Sequence, residues 1–423
     1  MTSSAPWGLP RRIGFRFVFI VAALYVFPFP LGLIPKASWL GVVLTRPMGW
    51  ATDWLGGALG LPALSSDITG SGDRLVDYVQ LLLIAMLAVL GTIVWSVVDR
   101  RRRSYVSLAT ATWTVLRYFV AWAMLSYGMS KVMKSQFYDL SPGVLHQRVG
   151  ETPPMKLLWA FMGYSLPYTV FAGLAEVIGG VLLLWRRTAT LGALLVIAVM
   201  TNVVMLNFCY DVPVKLYSMQ LLVMAIAIAQ PAARRLIGAA LGGAVAEVPA
   251  RTRMSPRLER ARIIAKLLMI AGLLYDTVVP YFGRPGHEDH LHEVYGDWAV
   301  DSFVIDGVDH PPVLTDPVRW ESWSANPRYS QIWLMDGSFE GRNESTRGWY
   351  TIKVDPAAHT IEVTVDSDKQ TKETWNYVLA SPDHLVIDCV HRGKSLQVAM
   401  HRRPAGLLLS RGFHWINEVP YNR

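Results

Sequence analysis

Cysteine is scarce in this chain. Its 423 residues hold only Cys209 and Cys389, and no CxxC pair. That excludes a zinc ribbon, a cysteine-ligated iron–sulfur cluster and a thioredoxin-type dithiol built within one chain. Charge is also sparse, at 17% of residues, where soluble domains carry about 25%. Histidine is missing from every long apolar run; all ten lie in polar stretches. Bis-histidine haem and a haem–copper centre need imidazoles at membrane depth, so an intramembrane haem of that type is excluded. The runs themselves lack the polar interruptions that a soluble core helix would carry every few turns.

What is abundant is apolar sequence, 52% of residues, in stretches about 20 residues long, the length a bilayer requires. The spacing predicts about seven spans: Ile13–Ile34, Tyr78–Val98, Ser107–Met129, Pro167–Trp185, Thr190–Phe208, Val214–Ala229 and Ile263–Phe282. The first follows Arg11 and Arg12 as a signal peptide would. It is long, however, and no small-x-small site follows at Pro35-Lys-Ala37, so a retained anchor is expected. Residues 36–78, with Trp39, Trp50, Trp54, Gly56 and Gly57, suit an external, interfacial segment.

The formal net charge of +8 divides unevenly. Residues 1–282 hold 26 Lys and Arg against 12 Asp and Glu, whereas residues 283–423 hold 14 against 20. Basic clusters stand at Arg11–Arg12, Arg100–Arg103, Arg186–Arg187, Arg234–Arg235 and Arg251–Arg262. An amino terminus in the cytoplasm puts all of them inside, as the positive-inside rule asks. The expected location is a bacterial inner membrane with residues 283–423 on the periplasmic side. Nucleic acid needs a basic stripe on a soluble domain; the soluble part here is acidic, so nucleic acid is excluded as a partner and the lipid bilayer is the first one.

Beyond Trp298 the period changes from helical to alternating, as in Tyr350-Thr-Ile-Lys-Val354 and His359-Thr-Ile-Glu-Val-Thr-Val365. Turn signals at Asp336-Gly337, Asp355-Pro356, Ser381-Pro382 and Arg392-Gly393 separate about eight short strands. The expectation is an all-β domain, a small lipocalin-like up-and-down barrel or a sandwich. It would hold a lipophile, bind a partner, or simply cap the membrane bundle.

Ionisable groups inside spans are functional candidates by default. Arg117 and Glu176 each fall about 13–15 Å from the same end of their spans, by helical rise, which predicts a buried pair. Glu176 sits in Ala172-Gly-Leu-Ala-Glu-Val-Ile-Gly-Gly180, where Ala175 and Gly179 form a small-xxx-small face. At the outer ends of the spans, Lys131, Asn202, Asn207, Asp211 and Lys215 could bind an acidic or quinone-like head group. The alternative for these is snorkelling lysines and a capped turn. His287, His290 and His292, in His287-Glu-Asp-His-Leu-His-Glu293, could ligate a transition metal, although the spacing matches no metalloprotease motif. A disulfide between Cys209 and Cys389 and two free thiols both remain open.

Tyr127-Gly-Met-Ser-Lys131, Gly173-Leu-Ala-Glu-Val-Ile-Gly-Gly-Val-Leu-Leu-Leu184 and Asn207-Phe-Cys-Tyr-Asp-Val-Pro-Val-Lys215 resemble the DoxX-like superfamily of bacterial membrane proteins over residues 107–230. The resemblance implies a four-helix membrane core. It also implies an association with quinone-linked redox systems, since relatives include a subunit beside a terminal quinol oxidase and the larger subunit of a thiosulfate:quinone oxidoreductase. The chain would then comprise two amino-terminal helices (1–106), this core (107–230), a basic linker (231–262), a further helix (263–282) and the outer β domain (283–423). Two functions follow as expectations. One is a non-haem component of a quinone-linked redox or respiratory assembly, with quinone as cofactor and other membrane redox subunits as partners. The other is an accessory or scaffold protein whose β domain binds an extracytoplasmic partner. A transporter is a weaker third, without the inverted repeats that mark one.

Overall fold

The computed structural model describes residues 6–29, 38–64, 70–140, 142–145, 147, 149–242, parts of 260–275, 292–326, 330–341, 348–365, 368–404 and 406–415. The chain forms two compact units, Met1–Tyr138 with Pro153–Phe282, and Asp139–Thr152 with Gly283–Arg423.

The first unit is helical: α1 (Leu9–Val26), α2 (Ser38–Ala58), α3 (Leu75–Val98), α4 (Val106–Val132), α6 (Pro154–Tyr164), α7 (Leu166–Leu184), α8 (Ala189–Cys209) and α9 (Lys215–Ala240), with the one-turn α5 (Pro142–Leu145) assigned to the other unit. Five of these are long and apolar enough to cross a membrane: α3, α4, α7, α8 and the first part of α9, to Ala233. They coincide with the second to sixth expected spans. Helix α1 ends at Val26, eight residues short of the expected limit, and carries Arg11, Arg12 and Arg16; it is not among the five. Most of the expected seventh span, residues 263–282, lies outside the described residues.

Within residues 36–78, expected as an external, interfacial segment with no helix assigned, Ser38–Ala58 form α2, which exposes Trp39, Trp50 and Trp54 while burying Thr52 and Leu55. Its stripe of Met48, Ala51 and Leu55 packs on Val79 and Leu83 of α3. Gly49, Gly56, Gly57 and Pro47 mask that 3.6-residue period from a composition reading. Between the third and fourth expected spans, where no helix was expected, stands α6; Pro154 opens it, where the missing N–H costs nothing.

Helices α4, α7, α8 and α9 pack as a closed ring of neighbours, α4 on α7, α7 on α8, α8 on α9 and α9 on α4. Glycine sets the spacing on two faces of α7. A Cβ added to Gly128 would stand 2.7 Å from the Gly173 carbonyl, and one added to Gly180 would stand 3.0 Å from that of Ala121. On the other face, a Cβ added to Gly192 of α8 would stand 2.8 Å from the backbone nitrogen of Leu183. Of the expected Ala175–Gly179 face, Gly179 does admit a neighbour, α8, where an added Cβ would stand 2.8 Å from Val196, while the glycines that admit α4 are Gly173 and Gly180. Between helices in lipid, such close contact supplies dispersion in place of a hydrophobic drive.

The second unit is a curled antiparallel sheet, a half-barrel of nine strands in the order β4-β3-β1-β9-β8-β7-β6-β5, with the two-residue β2 beside β1. The strands are β1 (Gly296–Ile305), β2 (Val308–Asp309), β3 (Trp320–Ala325), β4 (Gln331–Leu334), β5 (Tyr350–Asp355), β6 (Thr360–Val365), β7 (Asp368–Ser381), β8 (His384–His391) and β9 (Lys394–Arg402). First and last long strands pair, and the end strands meet at one bridge, where Ser330 and Tyr350 exchange two 2.9 Å hydrogen bonds. The hairpin between β8 and β9 turns on Arg392 and Gly393, both at positive φ, as a two-residue primed turn requires. Trp298, Trp320, Trp323 and Trp375 fill the interior. The indole N–H groups of Trp298, Trp323 and Trp375 donate to Val294 O, Ser330 Oγ and Glu373 Oε2 at 2.8, 2.7 and 3.0 Å, which buried indoles require.

Candidate functional site

The close approach of α4 and α7 builds the most unusual feature of the helical unit. Gly173 leaves room for the stem of Lys131, whose Cβ would stand 2.8 Å from a Cβ added there. The ammonium then reaches Glu176, one turn along α7, with Nζ 2.9 Å from Oε2. The side chains are 9% and 3% exposed. Either charge alone would be costly in hydrocarbon; as a pair each supplies the other's counter-charge. The Lys131 ammonium also stands 5.8 Å from the Tyr127 ring, which lies 6.0 Å from that of Tyr217 on α9. Tyr25 of α1 donates to Gln220 of α9 beside them. Tyr127 is 39% exposed, so the buried pair has an open aromatic flank.

The expected Arg117–Glu176 pair is corrected by this geometry. Helices α4 and α7 run antiparallel with Gly128 against Gly173 and Ala121 against Gly180. That register sets Glu176 level with Tyr127 and Arg117 level with the far end of α7. Arg117 lies against Tyr118, and Lys266 reaches both Tyr118 and Trp185 at that end. Depth counted from the amino end of α4 misleads because α4 begins about three turns before α7 ends.

The other expected head-group residues divide. Asn207, buried, donates through Nδ2 to Ser218 Oγ at 3.0 Å, and Ser218 donates to the Lys215 carbonyl at 3.0 Å. Lys215 Nζ lies 2.8 Å from Asp211 and 3.8 Å from Asp73. Asp73 also accepts from the backbone N–H groups of Lys215 and Leu216 at 2.8 and 2.9 Å, capping α9 from a segment far away in sequence. Asn207, Asp211 and Lys215 thus act together as a cap. Asn202, five residues before Asn207 and so about 140° round the helix, is exposed and stands apart from them. Sequence reasoning gave no sign of Asp73, because its partners are 142 and 143 positions away.

The sheet unit holds a second buried charged group. His391, 3% exposed, lies with Nδ1 2.6 Å from Glu373 and Nε2 3.0 Å from Glu340. The rings of Trp375, Trp320 and Tyr350 surround it at 5.4, 5.7 and 6.0 Å. Burial acts to lower the imidazole pKa, but the hydrogen bonds and charges of Glu340 and Glu373 prevail and raise it above 6.5. Burial acts to raise that of Glu373, and the Arg392 N–H with His391 holds it below 4.5. Both imidazole nitrogens are occupied, so this group clamps strands and does not expose a base. The three residues are scattered in sequence and carry no local motif.

His287 and His290 lie outside the described residues. His292 accepts from Val294 N at 3.2 Å and packs beside Tyr295 and Tyr377. Among the described residues no three His, Cys, Asp or Glu side chains gather as metal ligands. Cys209 and Cys389 are both free thiols, one exposed and one buried. Burial, then Glu373, Asp388 and Glu340, pushes the Cys389 thiol up to about 12.

These features define a polytopic helical membrane protein with a paired intramembrane lysine and glutamate, carrying an antiparallel half-barrel. No family model and no solved structure matches the chain. It is 34% identical over 122 residues to "Uncharacterized protein YwoB" of Bacillus subtilis (strain 168), a match over 29% of this chain and 77% of that protein. The chain belongs to the family of that protein.

Proposed function

We propose that the protein is a non-haem component of a quinone-linked redox assembly in a bacterial inner membrane, with a DoxX-like core and a quinone head group held beside Lys131, Glu176 and Tyr127. The observation that carries the reading is the buried 2.9 Å Lys131–Glu176 pair with Tyr127 open on its flank. An ammonium donates to a quinone carbonyl, a carboxyl group exchanges protons with the reduced form, and a tyrosine ring offers a stacking face. The amino terminus faces the cytoplasm, about seven spans include α1 and residues 263–282, and the sheet unit is a periplasmic up-and-down barrel. The basic clusters and the pairing of first with last strand support that arrangement.

The test is mass spectrometry of organic extracts from the protein in native nanodiscs, against empty discs. Wild type should retain near-stoichiometric quinone. Lys131→Met and Tyr127→Ala should lose it, whereas Lys215→Ala, at the cap, should keep it. Equal retention by all three variants would remove the site, and no enrichment in wild type would remove the reading.

An accessory role is favoured by a different observation. On the sheet unit, Leu407, Leu408, Leu409, Phe413 and Trp415 are all exposed, the last at 90%, which is a surface for a partner rather than for water. A partner that survives Glu176→Gln but not truncation before Leu407 would support that role over quinone binding.

A further inference from the structure

Six arginines distant in sequence, Arg11 and Arg12 on α1 and Arg100–Arg103 after α3, gather at one end of the helical unit. Main-chain groups hold them there. Trp7 N donates to the Arg103 carbonyl at 2.9 Å, and Arg12 donates to the carbonyls of Arg102 and Arg100 at 2.9 and 3.4 Å. Arg16, 1% exposed, is the pin beneath. Its guanidinium donates to the Tyr105 hydroxyl at 2.7 and 3.0 Å, to Ser96 Oγ at 2.7 Å and to the Asp99 carbonyl at 3.0 Å. Phe15 stacks on Tyr105, and Trp7 meets Phe15 edge-on.

Because the loop spends its carbonyls inward, its side chains point outward. Arg11, Arg100, Arg101, Arg102 and Arg103 are exposed. Among the described residues, Asp99 is the carboxylate that forms an ion pair with any of the six, 4.0 Å from Arg102, and it already accepts from Tyr105 at 3.0 Å. A fixed platform of this charge repels itself unless an anion sits on it. Val97 and Val98, the last residues of the apolar α3, are 68% and 79% exposed immediately before it. The charges therefore stand where a span leaves hydrocarbon, at the level of lipid phosphates, with Trp7 and Trp95 at the depth aromatic residues favour.

We infer that this platform binds the phosphodiester head groups of anionic phospholipids. Guanidinium forks match phosphate oxygens two at a time, and the Arg16 hub preorganises them on both segments at once. The reading is independent of the quinone proposal, which concerns the Lys131 end of α4.

The full chain is reconstituted in nanodiscs of phosphatidylcholine with a minority of phosphatidylglycerol, released, and weighed by native mass spectrometry. Wild type should carry phosphatidylglycerol well above its share of the disc. Arg101→Gln with Arg103→Gln should lower that excess by about fivefold or more, since the fold uses the carbonyl of Arg103 and not its side chain. Arg101→Gln alone, at an exposed position, should lower it less and serves if the pair fails to fold. Arg186→Gln with Arg187→Gln, an exposed basic pair after another span, should leave it unchanged. No excess in wild type, or equal loss in both double variants, overturns the proposal. Displacement of the lipid by excess inorganic phosphate would reassign the site to a free anion and overturn the lipid reading.

Discussion

Glu176 could pair with either of two cations that the sequence puts on α4, Arg117 and Lys131, and helix register decides between them. The residue types were legible, because an acid in an apolar run announces itself. Its partner was not, because antiparallel register depends on which glycines face each other. Lys131→Leu or Glu176→Leu alone leaves a buried charge uncompensated and should cost about 3–5 kcal/mol, whereas the double leucine variant should recover most of that. Thermal unfolding in detergent across the four proteins gives the cycle. If the double variant loses as much as the two singles combined, the pair is not coupled. Cys389 offers a simpler check. A thiol with its pKa raised to about 12 and its sulfur in the sheet core should resist maleimide at mildly alkaline pH until the protein is denatured. Labelling of Cys389 in the folded protein would show that its strand opens readily.

Among the elements, α3, α4, α7, α8 and α9 were each visible as apolar runs with basic ends, and most strands of the sheet as alternating runs between turn pairs. The elements missed, α2 and α6, are those whose period is broken by glycine or proline and whose hydrophobicity falls short of a span. How α7 packs was also beyond the sequence, since Gly173, Gly179 and Gly180 look alike until α4 and α8 take opposite sides. This gives a graded prediction. A side chain at Gly128 would stand 2.7 Å from the Gly173 carbonyl and 2.9 Å from Val177 N. Because backbone cannot yield as a side chain does, Gly128→Val should cost about 1–3 kcal/mol or more and displace Lys131 from Glu176. Gly14→Val, on α1 with no atom within 4 Å of an added Cβ, should be near neutral. Similar melting losses for both would show that the cost does not come from the spacing of α4 and α7, since propensity alone favours valine over glycine in a helix.

For the whole molecule, two compact units with separate cores should unfold in two transitions, and pH should separate them. The buried tryptophans of the sheet report one transition through near-UV circular dichroism; the helices dominate the far-UV signal. In the sheet, the His391 pKa is raised above its unfolded value of 6.5. Its clamp therefore contributes fully below that pH and is lost as pH rises through the folded value. The Glu373 pKa is lowered from 4.5, so its contribution is present above that pH and is lost as pH falls through the folded value. The sheet should thus be most stable between about pH 4.5 and 6.5 and should melt at falling temperature as pH rises further. His391→Gln keeps a hydrogen-bonding side chain but removes the titration, so its alkaline decline should flatten. The helical transition should not follow the same curve, because the described helices α1–α4 and α6–α9 contain no histidine. A single transition, or a His391→Gln protein with the wild-type alkaline slope, would mean that the Glu340–His391–Glu373 clamp does not set the stability of the half-barrel.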